Sequence, residues 1–313
     1  MRLSRAIRPI AWGFVAAGVA APLLRRRLRL PAPAATAAAA AAPAALCVAA
    51  NRSRGRELAV CALQMWAYVA AYEMPNDDPE RLRGRVHVEY PVRIDRLIGL
   101  GQLPTQRLQR AFAEPGEIRG VERALVWSHW LWFAFPHASL LYVWLRRPER
   151  MTAAATRVYA VFDLGAMVYS LAPTAPPWWA AQAGAVAADD DAQPAVRRMM
   201  IEYGERFWGD RWEDLNDALG GNPLAAMPSL HFATSVMAAR VLAEVDPVAG
   251  AVGAAYASTL GFALVYLGEH YVVDLIAGAT LAAAVQRSSR TFGPVLRLLP
   301  RALERLRALG ANG

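Results

Sequence analysis

From residue 57 to residue 287 the chain sorts into long apolar blocks rather than into a fine alternation of polar and apolar positions. The blocks cover 57–74, 121–145, 152–172, 228–245, 248–267 and 270–287. A helix needs about 20 predominantly apolar residues to cross the hydrocarbon core of a bilayer. Six spans are therefore predicted, with long polar connections at 75–120 and 173–227 and tight turns elsewhere. An all-α, polytopic six-helix membrane bundle follows, its outer-face loops carrying short helices. The domain reading is a tail over 1–56, a membrane domain over 57–290 and a basic amphipathic tail over 291–313.

Charge orients the bundle. Arg52, Arg54 and Arg56 precede the first span, and Arg146, Arg147 and Arg150 fill the turn between the second and third. Arg287, Arg290, Arg297, Arg301, Arg305 and Arg307 follow the last. All lie on one face if six spans cross, and that face is expected to be cytoplasmic. Residues 1–50 hold two more apolar stretches, 9–24 and 32–50, split by Arg25, Arg26, Arg27 and Arg29. If both crossed, those arginines would lie outside, against the same tendency. This segment is read as a basic, Ala/Pro-rich tail lying on the inner surface.

Composition agrees. The chain of 313 residues is 56% hydrophobic with net charge +8, and all 34 basic residues are arginines. Arginine at cytoplasmic loops accounts for that charge, so no nucleic-acid partner is expected. The two cysteines, Cys47 and Cys61, sit in or beside apolar stretches, where neither a disulfide frame nor a thiolate metal site is expected. The tryptophans at 127, 130, 132 and 144 read as interfacial anchors. Trp178 and Trp179 read equally well as anchors or as the mouth of a site. Arg157 and Arg240 read as residues that snorkel to the inner interface. Asp163 needs a partner within its span, for which His129 is the candidate.

The chemistry concentrates between Asn222 and Gly278. The stretch NPLAAMPSLHFATSVMAAR holds His231, and YLGEHYVVDLIAG holds His270 and Asp274. The histidines are 39 positions apart, one trip across a bilayer and back, so both are predicted at the outer face. Asp274 follows His270 at i+4, one helical turn away. A carboxylate there accepts the Nδ1 hydrogen of His270 and leaves Nε2 free as a nucleophile. A second histidine opposite can protonate a leaving oxygen and later deprotonate an incoming hydroxyl. The set suits phosphoryl transfer through a phosphohistidine, with no cofactor and no metal. Pro228 suits a helix's first turn, and the N–H groups of Ser229 and Leu230, with those near Glu269, are predicted to face the phosphate. Arg197, Arg198 and Arg206 are the candidate phosphate cations; taken singly, each reads more simply as a loop charge paired with Glu202, Glu205 or Asp210. Two competing readings stand. Both histidines could be structural, or His231, His270, Asp274 and Glu269 could ligate zinc.

PSLH at 228–231 and HYVVD at 270–274 resemble the second and third motifs of the type-2 phosphatidic acid phosphatase superfamily. The resemblance covers roughly 57–287. It implies His270 as nucleophile, Asp274 as its orienting partner and His231 as general acid/base, in a six-helix bundle of the phosphatidic acid phosphatase/haloperoxidase type. Ala263 and Leu264 stand where the broader family has Ser-Arg, and PTAPPWW at 173–179 stands where its first motif has Lys and Arg-Pro. These departures make the chain more similar to the branch of inositol phosphorylceramide synthase and sphingomyelin synthase.

The expectation is a metal-independent phosphatase or phosphotransferase, integral to a bacterial plasma membrane with its site facing outside. The expected substrate is a lipid phosphate, a polyprenyl phosphate or a phospholipid head group. The alternative is a non-catalytic lipid-binding or transport protein that keeps the bundle.

Overall fold

A computed structural model describes residues 2–74, 78–188, 194–220, 222–291 and 298–311. Every regular element among them is helical. Two isolated bridges, His87 to Thr174 and Thr174 to Ala225, tie loop segments together. The chain divides into two compact units, 1–77 with 286–313, and 78–285.

The first unit contains α1 (Arg2–Leu24), α2 (Ala32–Ala49), α3 (Arg54–Glu73) and α16 (Leu298–Ala311). Ser53 caps α3 by accepting from the Arg56 N–H at 3.1 Å, as N-cap serines do. Alanines at 35, 39, 67 and 70 pack with Met74. The Arg56 guanidinium donates to the carbonyls of Cys47 and Ala50 and to Glu304 of α16. The segment expected to be a surface-lying tail is thus two long helices, α1 and α2, and both are long and apolar enough to cross a membrane. The reason is compositional: alanine is the best helix former and is apolar enough to qualify. Arg297, counted in the last basic cluster, and the rest of 292–297 lie outside the described residues.

The second unit holds α4 (Pro79–Arg83), α5 (Glu89–Ile98), α6 (Pro104–Phe112), α7 (Gly120–Leu131), α8 (Phe135–Arg146) and α9 (Met151–Leu171). There follow α10 (Pro177–Gln182), α11 (Met199–Trp208), α12 (Trp212–Gly220), α13 (Leu230–Ala243) and α14 (Pro247–Tyr266). α15 (Val272–Thr291) begins here and ends in the first unit. A helix stands at each of the six apolar blocks, and short helices occupy the two long loops. The six-span count is not confirmed. The second block breaks into α7 and α8, and α13, at 14 residues, is about 21 Å long, short of a bilayer core of about 30 Å. Of the six blocks, only α14 has the length and mean hydropathy of a span; α1 and α2 are the others. Charged residues within α3, α9 and α15 lower their hydropathy.

Outward-facing side chains on the second unit are strongly apolar. Leu141 and Leu145 on α8, Leu164, Met167 and Leu171 on α9, and Val248, Val252 and Phe262 on α14 are exposed. His270 and Asp274 are buried instead. Apolar side chains outside and ionisable ones inside suit a lipid environment.

Candidate functional site

Two helix starts build the site. α13 begins at Leu230, with Ser229 as its N-cap accepting from the Phe232 N–H at 3.3 Å; Pro228 lies just outside the helix. After α14 the chain turns at Gly268, whose φ of +81° is one that glycine adopts without strain. His270 follows, and α15 starts at Val272. The two starts are joined by backbone: the Ser229 N–H donates to the Asp274 carbonyl at 3.0 Å. Gly278 permits this approach, since a Cβ there would lie 2.6 Å from the Ser229 carbonyl oxygen. From α9, the Tyr169 hydroxyl donates to the Pro228 carbonyl at 2.6 Å and accepts from the Leu230 N–H at 3.2 Å.

These contacts bring His231, His270 and Asp274 together. His231 Nδ1 lies 3.2 Å from His270 Nε2. His270 Nδ1 lies 3.2 Å from Asp274 Oδ2, which also accepts from the Tyr271 N–H at 2.9 Å. Asp274 is fully buried, and its other oxygen has no partner. A carboxylate accepting from Nδ1–H fixes His270 with a lone pair on Nε2. His231 Nδ1 is then the donor in the contact between the rings.

The backbone cradle expected at Ser229 and Leu230 is absent. The Ser229 N–H is spent on the Asp274 carbonyl and the Leu230 N–H on Tyr169. The N–H groups of Glu269 and His270 both donate to the Leu264 carbonyl at 3.0 Å. Joining the two helix starts uses the amides that a free helix end would offer to an anion.

The three arginines separate. Arg197 is 9% exposed, grips Glu202 with two bonds of 2.7 and 2.6 Å, and donates to the carbonyls of Glu114 and Glu117. Its guanidinium is committed to the loop. Arg206 donates to the Gly116 carbonyl at 2.9 Å. Arg198 differs: its guanidinium lies 3.7 Å over the Trp178 ring, and its Nε has no partner. Burial lowers its pKa, and Glu269, the neighbour of His270, offsets part of that. Burial likewise raises Glu269, with Arg198, His270 and a Trp178 hydrogen bond pulling the other way. Arg198 is thus the candidate cation on the His270 side. Trp178 holds it through a cation–π contact, and the backbone N–H of Trp178 donates to the Gly268 carbonyl at 3.3 Å.

Two supporting residues, Gln109 and Asp95, gave no signal in the sequence, and three others have partners other than those read from it. Gln109 donates to the carbonyls of Arg197 and Tyr266 and accepts from the Arg197 N–H, pinning the arginine loop to the end of α14. Asp95, fully buried, accepts from the Val273 N–H at 3.0 Å and caps the first turn of α15. His129, the candidate partner of Asp163, stacks on His231. Trp132, read as an interfacial anchor, lies against the same ring. Arg157, read as snorkelling, binds Glu244 with two bonds of 2.5 and 2.6 Å. Among the described residues no group of three or more His, Cys, Asp or Glu is arranged to hold a metal ion.

Compared with known proteins, the chain matches the sequence pattern of the PAP2 superfamily over residues 105–287, which include His231, His270, Asp274 and Arg198. No curated protein and no solved structure matches the chain.

Proposed function

The chain belongs to the PAP2 superfamily, and from that premise we propose that it is a membrane phosphatase or phosphotransferase working through a phosphohistidine on His270. Phosphatase or phosphotransferase activity is what the family suggests; the route through His270 is our reading. The observation that carries it is the chain of contacts from His231 Nδ1 to His270 Nε2 to Asp274, each 3.2 Å.

In this reading the substrate phosphoryl group enters between the two rings and replaces the contact they make with each other. The His270 Nε2 lone pair attacks phosphorus, and the bond to the leaving oxygen breaks. His231, entering the step as the imidazolium, gives its Nδ1 proton to that oxygen and is left neutral. Asp274 stabilises the charge that builds on the His270 ring. Water or an acceptor hydroxyl then attacks phosphorus, passes its proton to His231 and releases His270. Arg198 supplies positive charge to the phosphate oxygens. No metal or cofactor takes part.

The substrate class is a lipid phosphate, a polyprenyl phosphate or a phospholipid head group. Apolar outer faces of α8, α9 and α14 suit a tail held in the bilayer with its phosphate at the helix starts. Hydrolysis and transfer share the phosphohistidine, and the acceptor decides between them. The departures at 263–264 and 173–179 favour the branch that transfers head groups between lipids.

A panel of labelled lipid phosphates, assayed with and without an added alcohol, tests this. We expect label release that divides between phosphate and phospho-alcohol when the alcohol is present. Release that persists undiminished in both His270→Ala and Asp274→Asn contradicts the reading.

A further inference from the structure

One buried ionisable group has no part in that chemistry. His129 in α7 is 6% exposed, and its Nδ1 has no hydrogen-bond partner. A buried imidazole nitrogen left unsatisfied is unfavourable, so its position calls for a reason. Its ring stacks on His231, with centroids 4.7 Å apart and planes 30° apart. Trp132 approaches the same His231 ring to 4.1 Å at 45°. His129 and Trp132 are three residues apart at the end of one helix, so they lie on one face of it. Trp132 is itself fixed: its Nε1–H donates to the Thr234 hydroxyl at 2.8 Å, which donates to the Leu230 carbonyl at 2.6 Å. Leu230 and Thr234 lie one turn apart at the start of α13, on either side of His231 in the chain. The clamp and the ring it holds are thus tied to the same backbone.

We propose that His129 is a positioning residue for the acid/base histidine. With Trp132 it holds the His231 ring in the plane that aims Nδ1 at His270. Its π face also stabilises the imidazolium formed when His231 takes a proton. The proposal rests on the acid/base reading of His231. Stacked rings present faces, not lone pairs, so His129 acts by its face and not as a proton relay. Among the described residues, His270, backed by Asp274, also lies against His231.

The test compares His129→Phe with His129→Ala in the purified full chain, in detergent. Turnover is measured with a lipid phosphate across pH, and the His231 ring is followed by nitrogen-15 NMR across the same range. His129→Phe keeps a ring face and is expected to hold kcat within about threefold of the parent. His129→Ala is expected to lower kcat about 10- to 100-fold at little change in KM, the size of a misplaced reacting group. The His231 titration and the pH–rate limb should then move together. Should His129→Ala fail to fold, His129→Leu, which fills the space without a π face, takes its place. An unmoved His231 titration in the Ala or Leu variant overturns the proposal, as does a Phe variant as impaired as the Ala one. If no form turns over any phosphate ester, the function proposed above fails, and the NMR comparison still decides the clamp. A His231 signal disturbed by Ala and kept by Phe supports it; one disturbed by neither overturns it.

Discussion

α13 carries ionisable side chains at both ends, and the two ends are treated differently. At its C-terminal end, Glu244 is held by two bonds from Arg157 and Asp246 accepts from Tyr142 at 2.7 Å. Asp246 also caps α14 through the N–H groups of Val248 and Ala249, and these hydrogen bonds lower its carboxyl pKa, that from Tyr142 most. At its N-terminal end, the rings of His231 and His270 face each other, and one Asp274 oxygen and one His129 nitrogen have no partner. A fold satisfies the charges it uses for stability. Groups left short of partners where ionisable residues converge are where a reaction finds room.

That contrast is broken first by removing the proposed nucleophile. His270→Ala should lower phosphate release by roughly four orders of magnitude or more, because in the proposed reaction His270 carries the phosphoryl group. A stopped assay of label release at saturating substrate measures it. Asp274→Asn keeps the shape and loses the charge, and should lower kcat about a thousandfold through loss of His270 orientation.

The arginine loop sharpens the same contrast. Arg198→Ala should raise KM about 10- to 100-fold, as expected when a charge-assisted contact to phosphate is lost. Arg206→Ala, which loses only its bond to the Gly116 carbonyl, should leave both constants at the parent value. Equal losses in the two would remove Arg198 from the site. At the other end of α13, Arg157→Met should cost about 2 kcal/mol of stability and lower the melting temperature, with kcat per folded molecule unchanged.

The smallest effect concerns Asp95. Burial is the chief cause that pushes its carboxyl from 3.8 up to about 6, with the Asp274 charge adding to it and the Val273 and Val272 N–H bonds opposing. A raised acid is disfavoured in its charged form, so the penalty is present above about pH 6 and is relieved as pH falls through 6 toward 3.8. Asp95→Asn keeps an acceptor for the Val273 N–H and removes the charge. It should raise the melting temperature by about 2–4 °C near pH 8, with the gain vanishing near pH 4. Parallel melts at the two pH values check it.

What the sequence made legible follows from how far apart the interacting groups are along the chain. His270 and Asp274 are one turn apart, and the 39-residue return to His231 follows from helix length, so all three were readable by spacing. The pairing of Arg197 with Glu202 was also readable; its bonds to Glu114, Glu117 and Gln109, and the placing of Arg198 against Trp178 and Glu269, were not, because those partners lie far along the chain. The amide cradle failed for a related reason. A helix start offers free N–H groups only until another element is packed against it, and here Tyr169 and the start of α15 are. His129 was visible as an unusual residue in an apolar block, but its stacking on His231, far along the chain, was not. The lengths of α1 and α2 were not legible either, because the arginines between them argue against two spans while their alanine content favours long helices.

The central claim is that phosphorus is bound for a moment to His270. Rapid acid-free quenching of the protein with a labelled lipid phosphate, followed by peptide mass spectrometry under alkaline conditions, reads that bond. The account predicts an acid-labile phosphoryl group on the peptide carrying His270, absent from His270→Ala. Turnover in which that peptide stays unlabelled, or in which the label sits on another residue, contradicts it.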